Sequence, residues 1–485
     1  MSSAKEPVTR RFGNGLTVLI KEDKSHPVVS LQYWVGTGSM NEGHWQGSGL
    51  SHLLEHLVFK GTAHFSGQEL ARKVQERGGH WNAYTSVNRT VYYIDGPAES
   101  WQIFLNLLTE LVFFPTFPED EMEREKEVVH REMAMYADDP DSVAYQLLMQ
   151  TLYLKHPRRW PVLGERAAFD CLTRQDVLDY HASRYVPNNV VLSIAGDVDA
   201  AEILSHLELL VEDLKSRPLN REPIPHEPHQ FGSRRVRKEF AVPYSKLHLA
   251  WRLPCSAHPD TPALSALSSI LGGGRSARFY EKFHDRLGLV YSIEVHSNQS
   301  ETDEGAFTIS MDVDRAQRDK VRDLVLQELR NLAEEDFTED LKRVCKQTRV
   351  SRLRRRSSAS GVASEMGADW FGSRNLNLSS EWQEAIERVT TEDLHRVCST
   401  WLSSPNVTEV SLDPPGSNAG DEERASASAG TALSEHVLGN GMKVVIREDH
   451  RLPLAYACMA FKAGCRAENE HDAGVTDLMA ECLLK

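Results

Sequence analysis

Runs of apolar residues with two different periods alternate along most of the chain. Some runs are short and alternate apolar with polar positions, which predicts half-buried β-strands. Others are longer and repeat their apolar positions every three or four residues, which predicts amphipathic helices. This alternation predicts domains in which sheets pack against helices. In the first part of the chain, strands are predicted at 16–21, 28–35 and 189–196, and helices at 101–113, 119–135 and from residue 200 onward.

Two segments rich in turn-forming residues divide the chain. Residues 217–225 contain several prolines, and residues 414–430 are polar and low in complexity, so both are expected to be linkers. The residues between them repeat the strand and helix pattern of the first part. We therefore predict four regions: a domain at 8–222, a second domain at 223–412, a flexible linker at 413–430 and a truncated third domain at 431–485.

The composition argues against several classes of protein. The net charge of −15 disfavours nucleic acid as the main partner, and the basic run at 352–356 is explained as a solvated helix end. No apolar run is long enough to span a bilayer. The seven cysteines contain no Cys-x-x-Cys pair, so they predict neither a zinc cluster nor a disulfide framework. The first residues lack the pattern of a signal or transit peptide, which favours the cytoplasm over the periplasm or an organelle.

The sequence His-Leu-Leu-Glu-His, which begins at His52, carries candidate metal chemistry. On a helix, His52 and His56 lie on one face, so both imidazoles can bind one metal ion. Glu55 lies close enough to contact a metal-bound water without being a ligand. Ser48 or Ser51 is expected to cap the start of this helix. The alternative is a chance match on a surface helix, since the chain contains 20 histidines.

An acidic stretch at 119–133 offers carboxylates for a third ligand. Most of its charges are explained as a solvated helix with intrahelical Glu–Lys and Glu–Arg pairs. Glu132 nevertheless shares the apolar side of this helix with Val129, and Glu125 lies two turns earlier. A carboxylate aligned with an apolar face needs a partner, and a cation is the natural one.

Taken together, these motifs resemble the pitrilysin/insulinase family of zinc metallopeptidases, which includes the mitochondrial processing peptidase. The resemblance implies that His52, His56 and Glu132 bind one Zn²⁺ per chain, with Glu125 supporting the site from outside the ligand set. It implies that Glu55 is the general base that activates a zinc-bound water for peptide hydrolysis. The implied fold is α+β, with two repeated mixed domains of antiparallel-rich sheet packed against helices and the start of a third.

A predicted β-hairpin at 78–93 extends the resemblance, because it matches the family's Gly-Gly-x-x-Asn-Ala-x-Thr segment. In the family, a peptide substrate adds to this edge strand, and the resemblance places Asn82 and Ala83 beside the scissile bond. An edge strand can bind many peptides because main-chain hydrogen bonds do not depend on sequence. An ordinary edge hairpin without a binding role is the alternative.

An internal repeat changes the expected organisation. Residues 12–23 return as 438–449, and each copy has an Asn-Gly turn that opens into an alternating strand. In the second copy, the residues that correspond to 50–56 are 475–481, and both histidines and the glutamate between them are replaced. We therefore expect a fragment of a longer protein, with one active half and the start of an inactive half.

The resemblance also implies a partner. Active family members use an Arg/Tyr pair from the inactive half, or from a partner subunit, to hold the substrate and its developing negative charge. The matching segment here, 283–291, keeps Tyr291 but has His284 where the arginine would be. We therefore expect the chain alone to be weakly active and to need the pair from another half or subunit.

The sequence thus predicts a zinc-dependent endopeptidase that acts on peptides or oligopeptides. A non-catalytic structural homologue, like the core subunits of respiratory complexes, is the first alternative, and a metal-binding protein with a fortuitous motif is the second. The first alternative is disfavoured because such homologues usually lose ligands, whereas the first half of this chain keeps all of them.

Overall fold

The computed structural model describes residues 6–219, 223–299, 304–402, 405–416 and 434–446. The chain forms two compact units, Met1–Ser417 and Asn418–Lys485. The larger unit contains a six-stranded and a five-stranded sheet, both packed with helices. The predicted α+β class is therefore confirmed. The domain boundaries drawn from the sequence remain a prediction.

The first sheet is built from strands before residue 200, in the order β1-β2-β6-β3-β5-β4. Only the β2–β6 pair is parallel, so the sheet is mainly antiparallel, as expected. Its strands are β1 Val8–Arg11, β2 Thr17–Glu22, β3 Val28–Val35, β4 His80–Thr85, β5 Thr90–Pro97 and β6 Val190–Gly196. The accompanying helices are α1 Leu50–Val58, α2 Gly67–Gln75, α3 Trp101–Phe113, α4 Glu119–Asp138, α5 Pro140–Leu152, α6 Arg166–Phe169, α7 Arg174–Arg184 and α8 Ala200–Leu210.

The second sheet has the order β7-β11-β8-β10-β9. Its strands are β7 Arg234–Glu239, β8 Ser245–Leu253, β9 Val290–Asn298, β10 Gly305–Val313 and β11 Thr408–Asp413. Its helices are α9 Thr261–Gly272, α10 Arg318–Asn331, α11 Thr338–Arg355, α12 Ala359–Ser373, α13 Leu378–Glu387 and α14 Thr391–Val397, with a π-helical turn at Tyr280–Arg286. The basic run does end α11. Two of its arginines, however, form ion pairs with the buried carboxylate of Glu365 and are not merely solvated.

Helix α12 joins the two sheets. It follows the second sheet's α11 in the chain but packs across the outer face of the first sheet, on β3 and β6. The polar side chain of Gln32 on β3 is buried and donates to Ser364 Oγ on α12 at 3.1 Å. Gly367 allows this approach, since a Cβ there would lie 2.3 Å from the Trp34 ring. Strand β3 is therefore buried on both faces, and its Gln32 bonds to α12.

Helix α5 makes the reciprocal contact. It belongs to the first half of the chain but packs on β8 and β11 of the second sheet. Lys246 on β8 forms an ion pair with Asp141 on α5, with 2.7 Å between Nζ and Oδ1. Because each sheet takes a helix from the other half, the two halves form one compact unit. Among the described residues, no helix combines the length and apolar character needed to cross a bilayer.

The smaller unit repeats the first hairpin of the chain. Strands β12 Ser434–Val437 and β13 Lys443–Ile446 pair antiparallel, as β1 and β2 do. The turns match in detail: Leu438 N–H donates to Met442 O at 2.9 Å, and Phe12 N–H donates to Leu16 O at 2.9 Å. The predicted repeat is confirmed for this hairpin. Residues 475–481, where the metal motif is replaced, lie outside the described residues.

Candidate metal centre

Helix α1 begins at an unusual backbone conformation. Gly49 precedes the helix with φ of 72°, and as the N-cap residue it has no side chain that could cap the first turn. The prediction that Ser48 or Ser51 caps this helix was therefore wrong. The physical reason is long-range packing, because a Cβ on Gly49 would lie 2.1 Å from the carbonyl oxygen of Leu163. Glycine adopts this conformation most easily, and a residue with a Cβ would not tolerate this approach.

A buried carboxyl group from the preceding loop takes the place of the cap. Glu42 is fully buried, and its Oε1 accepts the Ser51 N–H at 2.9 Å in the first turn of α1. Burial raises the pKa of Glu42 to about 8, although hydrogen bonds from Ser51 oppose the shift. Ser51 Oγ in turn lies 2.8 Å from the hydroxyl of Tyr180 on α7. The start of the helix is thus fixed from two sides, and no local sequence signal predicts this contact.

The predicted ligands meet between α1 and α4. His52 Nε2 and His56 Nε2 lie 3.9 Å and 3.8 Å from Glu132 Oε2. Within the described part of the chain, these three residues are the only group of three or more His, Cys, Asp or Glu whose ligand atoms lie within 4.8 Å of one another. A zinc ion binds nitrogen and carboxylate oxygen at about 2.0–2.2 Å, so one ion can reach all three. The donor set therefore fits a catalytic zinc site, which has three protein ligands and one open position.

Glu125 supports this site from the side of α4. Its Oε2 lies 3.0 Å from His56 Nδ1, and its Oε1 lies 2.7 Å from Lys60 Nζ. Burial alone would raise the pKa of Glu125, but the hydrogen bonds to His56 and Lys60 lower it below its ordinary value. A carboxylate on the second ring nitrogen fixes the tautomer of a metal ligand, so His56 Nε2 is left free to bind. The sequence did not indicate the contribution of Lys60.

The two imidazoles have different electrostatic surroundings. Burial, followed by the charge of His56, lowers the pKa of His52 to about 3, so its imidazole is neutral at physiological pH. Burial also opposes protonation of His56, but the hydrogen bond to Glu125 and the charge of Glu132 raise its pKa above the ordinary value. His52 Nδ1 is buried and has no hydrogen-bond partner among the described residues. A neutral imidazole is the form that binds a metal ion.

Glu55 lies beside the ligand cluster but does not belong to it. Its Oε2 accepts a hydrogen bond from Thr85 Oγ1 at 2.6 Å. Burial raises the pKa of Glu55, and the Thr85 bond opposes that shift. The hydroxyls of Tyr92 and Tyr185 form a buried pair 2.8 Å apart. Burial, and to a smaller extent the charge of Glu55, raises the pKa of both hydroxyls. The carboxylate is thus held by the hairpin strand in a partly dry environment.

The hairpin expected from the sequence is present, with β4 at the edge of the first sheet. Asn82 and Ala83 lie in the middle of β4, and Thr85 at its end holds Glu55. The hairpin turn is anchored from the other side, since Ser39 N–H donates to Ser86 O at 3.2 Å. Edge strand β4 is therefore hydrogen-bonded to Glu55, which lies beside the ligand cluster.

The segment that matches the family's Arg/Tyr pair makes its side-chain contacts with residues near the second sheet. His284 Nδ1 lies 2.7 Å from Asp285 Oδ1, and its ring stacks on Tyr280. Tyr291 is exposed and donates to Asp314 Oδ1 at 2.9 Å.

Comparison with known proteins agrees with this site. The sequence pattern of the family described as "Insulinase (Peptidase family M16)" matches residues 17–166, and that of "Peptidase M16 inactive domain" matches residues 172–347. An uncharacterized zinc protease of Rickettsia felis is 27% identical over 406 residues, which cover 81% of this chain and 94% of that protein. An uncharacterized zinc protease of Mycobacterium tuberculosis is 30% identical over 299 residues, which cover 60% of this chain and 67% of that protein.

The fold is likewise similar to that of a solved protease structure. The crystal structure of a protease from Helicobacter pylori superimposes with a TM-score of 0.77 at 26% identity, covering 84% of this chain and all of that one. The site and both sequence patterns therefore define a member of the insulinase class of peptidases. This chain belongs to the insulinase family, peptidase family M16.

Proposed function

We propose that this chain is a zinc-dependent endopeptidase that hydrolyses peptides or oligopeptides. The observation that supports this most is the arrangement around α1, where three ligand side chains converge and Glu55 lies beside them, held by Thr85. A structural metal site needs no such carboxylate next to its ligands. The relatives named zinc proteases support the same activity.

In the proposed mechanism, His52, His56 and Glu132 hold one zinc ion. When bound, zinc supplies a Lewis acid and lowers the pKa of a coordinated water to about 7. Glu55 takes the proton from the attacking water and delivers it to the departing amine. Thr85 keeps the Glu55 carboxylate aimed at this position through its hydrogen bond.

We further propose that the substrate adds as an extra strand to the free edge of β4. Asn82 and Ala83 would then lie beside the scissile bond, and main-chain groups of β4 would bind the peptide. In this scheme residues 8–222 form the catalytic domain, and 223–412 form a homologous domain without metal ligands. Residues 413–430 link them to a third, inactive domain at 431–485.

The oxyanion that develops on the substrate needs donors that the metal ligands do not supply. We propose that an inactive homologous half or a partner subunit supplies an Arg/Tyr pair for this role. His284 and Tyr291 are engaged by Asp285 and Asp314, so they are poorly suited to it. Addition of the inactive half in trans should raise the activity, whereas Tyr291→Phe should leave it unchanged.

The decisive experiment is Glu55→Gln, measured by metal analysis and by hydrolysis of a quenched fluorescent peptide. The variant should keep one zinc per chain and lose about 10²–10⁴-fold in turnover, because it removes the base and spares the ligands. Glu76→Gln, at an exposed position just after α2, is the matched control and should behave like the wild type. Near-normal turnover of Glu55→Gln at saturating zinc would show that Glu55 is not the base.

Ligand variants separate this proposal from the alternatives. His52→Ala, His56→Ala and Glu132→Ala should each lose both zinc and activity. Stoichiometric zinc binding by the wild type, without zinc-dependent hydrolysis in the presence of the inactive half, would favour a non-catalytic homologue.

A further inference from the structure

A cavity whose lining contains none of the metal ligands lies where the end of α12 meets the first sheet. Its volume is about 670 Å³, which is within the range of sites for small organic ligands. Among the described residues, no aspartate or glutamate lines it, although acidic residues outnumber basic ones in the whole chain. Two arginines, Arg11 at the end of β1 and Arg374 just after α12, belong to its wall.

Within the described part of the chain, these two arginines have no counter-charge. Neither Arg11 nor Arg374 forms an ion pair or a side-chain hydrogen bond with another described residue. Burial and then the positive charge of Arg11 lower the pKa of Arg374. The negative C-terminal end of the α12 dipole favours a cation, which explains the position of Arg374. Arg11, an exposed residue on a strand of the same wall, places a second guanidinium there.

Further hydrogen-bond donors line the same cavity. The indole N–H of Trp370 is buried and has no acceptor among the described residues. Asn41 uses its side-chain oxygen to accept the Gly38 N–H at 3.3 Å, so its NH₂ group remains available as a donor. A buried donor without an acceptor destabilises the protein. An acceptor-rich ligand would relieve both the unpaired donor and the repulsion between the arginines.

The backbone at Arg374 is also unusual. Its φ is 59°, a left-handed conformation that glycine adopts more easily than arginine. This conformation ends α12, and Arg374 lines the cavity together with Trp370 and Phe371. Strained non-glycine residues persist where the surroundings hold them, and they concentrate at binding sites.

We propose that this cavity binds a small organic molecule that carries at least two oxyanion groups, either carboxylates or phosphates. Arg11 and Arg374 each bind one oxyanion, since a guanidinium can donate two parallel hydrogen bonds to a carboxylate or phosphate. Trp370 donates its indole N–H to a further acceptor, and Phe371 provides an apolar wall. The site is independent of the peptidase activity, because none of its residues belongs to the metal centre.

The test is isothermal titration calorimetry of the full chain at low ionic strength, with citrate in one arm and inorganic pyrophosphate in the other. At least one probe should bind saturably, and the stronger one identifies the oxyanion class. Arg11→Gln and Arg374→Gln should each weaken binding about tenfold, and the double variant about a hundredfold, as expected for charged hydrogen bonds. Added salt should also weaken binding.

Arg10→Gln is the matched control. Arg10 precedes Arg11 on β1, so its side chain points to the opposite face of the strand, and it is not part of the cavity wall. Its binding isotherm should equal that of the wild type. Equal binding by the wild type and the double arginine variant, or no saturable binding of either probe, would overturn the proposal.

A spectroscopic readout tests the role of Trp370 separately. In protein labelled with 5-fluorotryptophan, the resonance absent from Trp370→Phe identifies this side chain. That resonance should shift on addition of the probe that binds in calorimetry, and the shift should be absent in the double arginine variant. An unchanged Trp370 resonance at saturating probe would place the ligand elsewhere and refute the site.

Discussion

The contact between Glu125 and His56 supports a quantitative prediction for Glu125→Gln. The wild-type carboxylate accepts from His56 Nδ1 at 3.0 Å through one oxygen and pairs with Lys60 Nζ at 2.7 Å through the other. Glutamine has the same size but only one oxygen, so it can accept from only one of these donors. If its oxygen binds His56, its NH₂ group faces the Lys60 ammonium, and two donors then oppose each other.

The expected loss follows from these contacts. Removing a carboxylate that supports a metal-bound histidine weakens metal binding by about 10–100-fold. This equals about 1.4–2.7 kcal/mol in binding free energy. The lower part of the range applies if Lys60 turns toward solvent, which its 29% side-chain exposure allows. The ligands remain in place, so turnover at saturating zinc should fall much less than zinc affinity.

The assay is competition for zinc between the protein and a chromophoric chelator at fixed pH. Glu123→Gln is the matched control, because Glu123 lies on the same helix and its side chain is 70% exposed. The double variant Glu125→Gln/Lys60→Met separates the two contacts, since it removes the opposed donors and should recover part of the lost affinity. If Glu125→Gln and Glu123→Gln bind zinc with the same affinity, the reasoning about Glu125 is wrong.

Three further predictions concern stability and pH. Gly49→Ala should lower the free energy of unfolding by more than about 1 kcal/mol and weaken zinc binding. Gly13→Ala, where a Cβ has no neighbour within 4 Å, should lower neither. Equal denaturation midpoints for both variants would contradict the role of the left-handed turn. Glu42→Ala leaves the first turn of α1 without its acceptor and should cost about 1–3 kcal/mol in chemical denaturation, and wild-type stability of the variant would argue against this cap. Burial lowers the pKa of His248 to about 4 from an ordinary 6.5, so the unfolded state binds the extra proton and stability should fall as the pH decreases from 6.5 to 4. This group accounts for at most roughly 3 kcal/mol of that loss, so His248→Gln should flatten the acid side of the stability profile, and an unchanged pH slope would exclude its contribution.

The features that depend on local spacing could be predicted from the sequence alone. His52 and His56 face one metal because helical geometry places residues four apart on one side. The Asn-Gly turns of the repeat could be identified twice, because their hydrogen bonds lie within five residues. Glu132 was proposed by resemblance to the family, and the structure brings it to both histidines.

The contacts that support these groups depend on the tertiary structure and could not be predicted from the sequence. The Lys60 ammonium meets Glu125 only because α1 and α4 pack together, and Thr85 reaches Glu55 only because β4 lies beside α1. The start of α1 shows the same limit. Local propensity predicted a serine cap, but Gly49 takes its conformation from the approach of Leu163. Such contacts join residues far apart in the chain, and their free energy comes from burial and exclusion of water, which no short sequence pattern encodes.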